Sequence, residues 1–183
     1  MTGGRSLGRV EILALLYELA EELAAQSASA ALFVVGGAAM SLAFDARRST
    51  ADIDAAFQPS DDVRQAAATI ALRHELAADW LNDGAKGFMP GADPGATLLF
   101  ERPSLRVELA SAEYLLAMKI RAARVELDVD DIRTLYKILG FTTVDEGLTV
   151  AERFYGAAGM LATLHPRSRY VREGLLSPPP AEV

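Results

Sequence analysis

Apolar and polar residues recur along this chain with two different periods, and the changes of period predict a succession of helices and strands. Over residues 8–26, apolar side chains appear at helical spacing while glutamates fall largely on the other side, which predicts an amphipathic helix. The same pattern predicts a strand over 32–35, a short helix over 38–44, a strand over 51–57, and a helix over 61–75 with Ser60 as its N-cap.

Beyond residue 75 the pattern becomes mainly helical. Residues 78–91 show no clear period, and we interpret them as a loop with a helical turn and with Trp80 as a core anchor. Two strands are predicted over 97–102 and 105–110. Four helices follow, over 112–124, over 128–139, from Thr143 to about Tyr155, and over 166–176. Ser111 is predicted to cap the first, Gly140 to end the second, and Glu146 to complete a capping box at the start of the third.

Strands and helices interleave up to residue 110 and only helices follow, which predicts an α+β fold. We expect a small mixed sheet flanked by helices, with a helical C-terminal third. Residues 1–110 are predicted to form the core with its N-terminal helix, and residues 111–176 a helical part that packs on it. Residues 177–183, which are rich in proline, are predicted to form a disordered tail.

Composition narrows the chemistry that such a fold can support. The 183 residues include no cysteine, which excludes disulfides and thiolate metal sites. The two histidines, His74 and His165, are far apart in sequence, which argues against a histidine-rich zinc site. No apolar run is long enough to span a membrane, and acidic residues interrupt the apolar N-terminal region, so we expect a cytoplasmic protein.

The formal net charge is −7, and a surface of that sign does not by itself attract nucleic acid. A local basic patch facing a polyanion is still compatible with this charge, although scattered solvated charges account equally well for most of the basic residues. The candidate patches are Arg47/Arg48, Lys119/Arg121/Arg124 and Arg167/Arg169/Arg172.

The stretch 34–57 contains the residues that suggest a phosphate-binding and metal-binding site. Gly36 and Gly37 follow an apolar strand and precede a short helix, and glycine allows the backbone to approach a phosphate closely. Taken alone, the pair is equally compatible with a simple tight turn. Arg48, just before the second strand, is a candidate ligand for triphosphate oxygens or a loop arginine that pairs with a nearby acid.

Asp52 and Asp54 are two carboxylates at positions i and i+2 of a predicted strand, so both side chains point to one face. The strand is otherwise apolar, and two acids within it cost free energy unless they are partnered. A hard divalent cation such as Mg²⁺ is a suitable partner, because it binds a few carboxylates and completes its shell with phosphate oxygens and water. This pattern therefore favours metal-assisted transfer chemistry.

These residues carry a resemblance to a known superfamily. Gly36-Gly37 followed at this distance by Asp52-Ile53-Asp54 resembles the nucleotidyltransferase fold of the DNA polymerase β type. More narrowly, residues 48–54, 79–83 and 113–119 are similar to the minimal bacterial nucleotidyltransferases of the AbiEii/MenT group of toxin–antitoxin systems. The resemblance covers roughly residues 30–156.

The resemblance implies a role for several residues. It assigns metal binding to Asp52 and Asp54, for which we expect Mg²⁺ or Mn²⁺, contact with the nucleotide phosphates to Gly36, Gly37 and Lys119, a late catalytic role to Asp131, and an inhibitory phosphorylation to Thr50. Superfamily members normally have a third metal carboxylate, for which Glu108 is the nearest candidate. Glu108 is equally well explained as an exposed strand residue.

Lys119 and Asp131 are also interpretable without the resemblance. A lysine on a largely apolar helix must reach solvent or an anion, and Asp131 is able to hold it across adjacent helices. A purely structural salt bridge is the alternative.

The resemblance implies an enzyme that transfers a nucleotidyl group from an NTP to an acceptor hydroxyl. The expected acceptor is RNA, at the tRNA 3′ end, and the expected partner of such a toxin is a cognate antitoxin protein. Two alternatives remain open. One is a catalytically weak or inactive nucleotide-binding or antitoxin-like module, and the other is transfer to a small molecule or a protein.

Overall fold

The structure is a computed structural model that describes residues 6–44, 49–122 and 125–161. Arg47 and Arg48, Arg124, His165, the predicted helix over 166–176 and the predicted tail lie outside the described residues. The chain divides into two compact units. The first comprises Met1–Gly87 and Ala96–Ala110, and the second comprises Phe88–Gly95 and Ser111–Val183.

Among the described residues the predicted elements occur in the predicted order, and three two-residue strands that were not predicted are added to them. In the first unit they are β1 (Leu7–Gly8), α1 (Arg9–Ala25), β2 (Ala30–Val34), α2 (Gly36–Ala39, continued by a π-helical turn over Met40–Phe44), β3 (Ser49–Thr50), β4 (Ile53–Gln58), α3 (Ser60–His74), β5 (Leu81–Asn82), β6 (Thr97–Arg102) and β7 (Leu105–Leu109). A 3₁₀ turn over Gly84–Phe88 follows β5. In the second unit they are α4 (Ala112–Ala122), α5 (Val125–Leu139) and α6 (Val144–Leu161).

Five strands form a mixed sheet in the order β5-β4-β2-β7-β6. The pairs β4–β5 and β2–β7 are parallel, whereas β2–β4 and β6–β7 are antiparallel. Helices interleave with these strands in the first unit and stand alone in the second, so the predicted α+β fold with a small mixed sheet is confirmed.

One face of the sheet is the core of the first unit. Its side chains are almost completely buried: Leu32, Val34, Ile53, Ala55, Phe57, Leu105, Val107 and Leu109. Helix α1 contacts β7 and α3, and α3 contacts β4, so these two helices cover this face. Trp80 is buried, and its indole N–H donates to the carbonyl of Ala67 at 3.0 Å, which confirms the prediction that it is a core anchor.

The opposite face of the sheet carries the polar side chains. Register partners in neighbouring strands share a face, and Asp54 pairs with Asn82 while Phe33 pairs with both Ala56 and Glu108. Strand β4 alternates between buried and half-buried residues, with Asp54 among the half-buried ones. The acidic residues therefore lie on the face that α1 and α3 do not cover.

Two local predictions differ from the structure. The prediction that Ser60 caps α3 is wrong: the helix already includes Ser60, its N-cap is Pro59 with φ −66° and ψ 143°, and no side chain makes a cap hydrogen bond. The fixed φ of proline holds the extended residue that precedes a helix. The loop predicted over 78–91 contains the short strand β5, because Leu81 and Asn82 pair with the start of β4.

The second unit is built from helices whose ends follow the sequence signals. Ser111 Oγ accepts a hydrogen bond from the Tyr114 backbone N–H at 3.1 Å, which confirms the predicted cap. Gly140 follows α5 with φ 69°, the left-handed conformation that favours glycine. The helical backbone of α6 is interrupted at Gly156 (φ 73°, ψ 159°), one residue beyond its predicted end. Helix α4 contacts both α5 and α6.

Candidate active site

The glycine turn after β2 has a conformation and surroundings that require small residues. Gly36 has φ 62°, and a Cβ atom there would lie 3.0 Å from Asp54 Oδ2. Gly37 is equally restricted, because its Cβ would lie 2.8 Å from Thr50 Oγ1. An L side chain is strained at the positive φ of Gly36, and a Cβ at either glycine would be crowded by its neighbour. The turn therefore presents its backbone directly beside the Asp54 carboxylate.

Strand pairing creates this proximity. Strand β2 runs antiparallel to β4, so the end of β2 lies beside the start of β4, and the Val35 N–H donates to the Asp54 carbonyl at 2.9 Å. Thr50 is held separately by the small β1–β3 ladder, in which it pairs with Leu7. The turn, Thr50 and Asp54 are thus brought together within the first unit by two independent ladders.

Asp52 immediately precedes β4, and Asp54 is its second residue. Side chains alternate along β4, so the Asp54 carboxylate points away from the face that buries Ile53, whereas Asp52 lies in a bend just before the strand. Both aspartates are half-buried. Asp52 Oδ2 accepts a hydrogen bond of 3.0 Å from Asn82 Nδ2 on the neighbouring strand β5. The sequence did not single out Asn82, although it lies within the 79–83 stretch that carries part of the resemblance.

The donor set of this corner fits a hard divalent cation. The Asp54 carboxylate lies against the glycine turn, and the Asp52 carboxylate two residues earlier accepts a hydrogen bond from Asn82, the register partner of Asp54. Among the described residues no group of three or more His, Cys, Asp or Glu side chains is arranged to hold a metal ion. A cation here would complete its coordination with phosphate oxygens and water, as Mg²⁺ commonly does.

Glu108, the candidate third carboxylate, lies on the same face of the sheet but on β7. Strands β7 and β4 both pair with β2, so they are separated by two strand spacings, roughly 10 Å. The Glu108 carboxylate accepts a hydrogen bond of 2.7 Å from Arg106, which also pairs with Glu101 at 3.2 Å. Its role as a metal ligand stays a prediction.

Lys119 and Asp131 form a polar cluster in the second unit. Lys119 Nζ on α4 lies 2.7 Å from Asp128 Oδ1 and also contacts Asp131 Oδ2, both on α5. All three side chains are at most 13% exposed. The contact across adjacent helices that the sequence predicted for Lys119 and Asp131 is confirmed. Asp128 was not predicted to belong to the site, although its i, i+3 spacing from Asp131 places both on one helix face.

A comparison with known protein families gives the family of the chain. Residues 11–158 match the family described as "Nucleotidyltransferase of unknown function (DUF6036)". The chain belongs to this nucleotidyltransferase family. No curated protein and no solved structure matches it.

Family membership confirms the nucleotidyltransferase class and, with it, an NTP substrate. The narrower resemblance to the AbiEii/MenT toxins stays a prediction. Within the described ranges, no helix is long and apolar enough to cross a membrane.

Proposed function

We propose that this nucleotidyltransferase moves a nucleotidyl group from an NTP to an acceptor hydroxyl with the help of a divalent cation held by Asp52 and Asp54. One observation carries the proposal: the glycine turn lies against the Asp54 carboxylate, with a Cβ on Gly36 reaching only 3.0 Å from Oδ2. This arrangement brings together the two functions that the reaction needs, which are close backbone approach to phosphate and oxygen ligands for a metal.

Each group has a role in this proposal. Asp52 and Asp54 would hold Mg²⁺ or Mn²⁺, which when bound neutralises triphosphate charge and stabilises an in-line displacement. Gly36 and Gly37 would allow the backbone of the turn to approach the phosphate oxygens closely. Lys119 would bind phosphate oxygens, and Asp131 would orient its ammonium group, which it contacts. Arg48 would add a further phosphate contact.

We further propose an RNA acceptor, at the tRNA 3′ end, and a toxin role opposed by a cognate antitoxin. The resemblance of residues 48–54, 79–83 and 113–119 to the AbiEii/MenT toxins supports this finer assignment. Thr50 would serve as an inhibitory phosphorylation site. Its Oγ1 lies 2.8 Å from where a Cβ on Gly37 would be, so a phosphate on it would occupy the turn and repel the triphosphate.

The test uses purified protein, Mg²⁺, each labelled NTP in turn, and total tRNA. We expect the wild-type protein to label tRNA with at least one NTP. Asp52→Ala and Asp54→Ala should each lower the rate by about 100-fold or more, since they remove groups that organise charge at the reacting phosphate. Asp61→Ala, which removes an exposed carboxylate from the first turn of α3, is the matched control and should transfer at the wild-type rate. Undiminished transfer by Asp52→Ala would contradict the proposal.

A second candidate is nucleotide binding without transfer. It is favoured by the finding that no group of three metal-binding side chains occurs among the described residues. Calorimetric binding of an NTP with no turnover on tRNA, small hydroxyl compounds or protein would support this candidate. If transfer occurs, a steep loss of acceptor affinity with added salt distinguishes RNA from a small-molecule acceptor.

A further inference from the structure

Asn82 makes a hydrogen bond for which neither the resemblance nor the family description gives a reason. It is the second residue of β5 and pairs in register with Asp54 on β4. Its side chain reaches the other aspartate: Asn82 Nδ2 donates to Asp52 Oδ2 at 3.0 Å. Asn82 is therefore the register partner of one aspartate of the proposed metal pair and a hydrogen-bond donor to the carboxylate of the other.

The orientation of this amide is fixed at both ends. Asn82 Oδ1 accepts a hydrogen bond from the Gly84 N–H at 2.9 Å, whereas Nδ2 also donates to the Asp79 carbonyl at 3.3 Å. A backbone N–H needs an acceptor and a carbonyl needs a donor, so only one orientation of the amide satisfies both neighbours. In that orientation the NH₂ group faces Asp52.

The short strand that carries Asn82 is itself held in place on both sides. Trp80, two residues earlier, is buried, and its carbonyl accepts the Ile53 N–H at the start of β4. Asp83, one residue later, forms an ion pair with Arg64 on α3 at 2.9 Å. The backbone contact with β4 fixes the position of Asn82, whereas the solvent-exposed ion pair of Asp83 adds little to it.

We infer that Asn82 is a positioning residue that fixes the Asp52 carboxylate for the divalent cation. The inference rests on the proposed function, and it assigns to Asn82 no contact with substrate. A neutral donor suits this task, because it holds Oδ2 without bringing a positive charge that would compete with the metal. Partners that orient metal ligands in this way commonly change metal affinity by 10- to 100-fold when they are removed.

The experiment titrates Mn²⁺ alone into the protein and follows the free ion by electron paramagnetic resonance. We expect Asn82→Ala to weaken Mn²⁺ binding by about 10-fold or more, with an unchanged circular dichroism spectrum. If Asn82→Ala does not fold, Asn82→Leu keeps the side-chain volume while removing both polar atoms. In transfer assays the variant should need more Mn²⁺ for half-maximal rate while its rate at saturating Mn²⁺ recovers.

Two control variants separate this role from general effects. Asp83→Ala removes the ion pair with Arg64 and loosens the same loop, but it leaves the amide in place. Gln26→Ala deletes another amide–carboxylate hydrogen bond, that of Gln26 with Glu22 at 3.2 Å, far along the chain from the site. Both should bind Mn²⁺ within about twofold of the wild-type affinity, since neither touches the carboxylate pair.

Three results would overturn the inference. They are wild-type affinity in Asn82→Ala, an equal loss in Asp83→Ala, and no Mn²⁺ binding by the wild-type protein. The proposed function fails in a different way. If the wild-type protein and the variants bind Mn²⁺ with the expected affinities but the wild type transfers no nucleotide, only the proposed function is overturned.

Discussion

At the scale of single residues, the candidate site depends on the absence of side chains at Gly36 and Gly37. The two glycines are restricted for different reasons: Gly36 by a left-handed φ of 62° and a carboxylate beside it, Gly37 by the hydroxyl of Thr50 alone. Thr50 and Asp54 each fill space that a side chain on the turn would need. The turn is therefore packed against Thr50 and Asp54, and a substitution in the turn should displace these side chains.

Gly36→Ala tests this coupling. The added methyl group is strained at positive φ and would displace the Asp54 carboxylate, so we expect a loss of about 1–2 kcal/mol in the free energy of unfolding and weaker Mn²⁺ binding. Chemical denaturation measures the first and the Mn²⁺ titration the second. Gly87→Ala is the matched control, since no atom lies within 4 Å of its added Cβ. Equal effects of the two substitutions would show that the turn is not restricted in this way.

At the scale of elements, the start of α6 shows how a local sequence signal sets a helix boundary. At the start of α6, the Glu146 carboxylate accepts hydrogen bonds of 2.8 Å from the backbone N–H groups of Thr142 and Thr143 and from the Thr143 hydroxyl. These bonds, led by the one from Thr142, hold the pKa of Glu146 below its usual value. The predicted capping contact between Thr143 and Glu146 is present.

Glu146→Gln should make the free energy of unfolding of the second unit less dependent on pH in the acidic range. A carboxyl whose pKa is lowered by folding stabilises the folded state above its unfolded pKa and loses that contribution as the pH falls through the folded pKa. We expect the wild type to be more stable than the variant at pH 7 and the difference to shrink as the pH falls below the ordinary glutamate pKa of about 4.3. Thermal unfolding across this pH range measures the difference. Glu152→Gln, at an exposed position on the same helix, is the matched control for removal of one carboxylate charge.

At the scale of the whole molecule, the chain carries a net charge of −7, and its described residues form two compact units with separate polar clusters. The first unit contains the glycine turn and the aspartates, and the second contains the Lys119 cluster. The acidic balance means that any RNA acceptor must be bound by a local basic surface.

Alkaline titration of the whole protein should report the packing of the second unit. Burial raises the pKa of Tyr114 to about 12, helped by the charge of Asp93. Burial likewise raises the pKa of Tyr136 to about 12, although a hydrogen bond with the Gly147 backbone opposes it. At pH 11 the native protein should therefore show less tyrosinate absorbance than the same protein in denaturant, where tyrosines ionise near pH 10.

The sign of the accompanying stability change follows from the same values. Both tyrosines have higher pKa values folded than unfolded, so their contribution to stability is complete below about pH 10 and is lost as the pH rises toward 12. Tyr136→Phe should reduce this loss. Identical tyrosinate absorbance of native and denatured protein at pH 11 would contradict the buried positions.

Much of the fold was predictable because its determinants are local. Helical spacing of apolar residues set α1, and alternation set β4 with Asp54 on its half-buried face, while Asp52 lies just before the strand. Cap signals at Ser111, Gly140 and Glu146 were correct because each acts within a few residues. The cap at Ser60 failed because Pro59 precedes it and takes the N-cap position.

The partners of the site residues were decided by tertiary structure. The sequence determined a glycine turn, an acidic pair and a lysine that needed an anion, since these follow from residue type and period. Only the register of β4 with β5 brings Asn82 to Asp52, and only the β1–β3 ladder holds Thr50 against Gly37. Likewise the packing of α4 on α5 adds Asp128 to Lys119. Such contacts join residues distant in sequence, and periodicity within one element carries no information about the register between two.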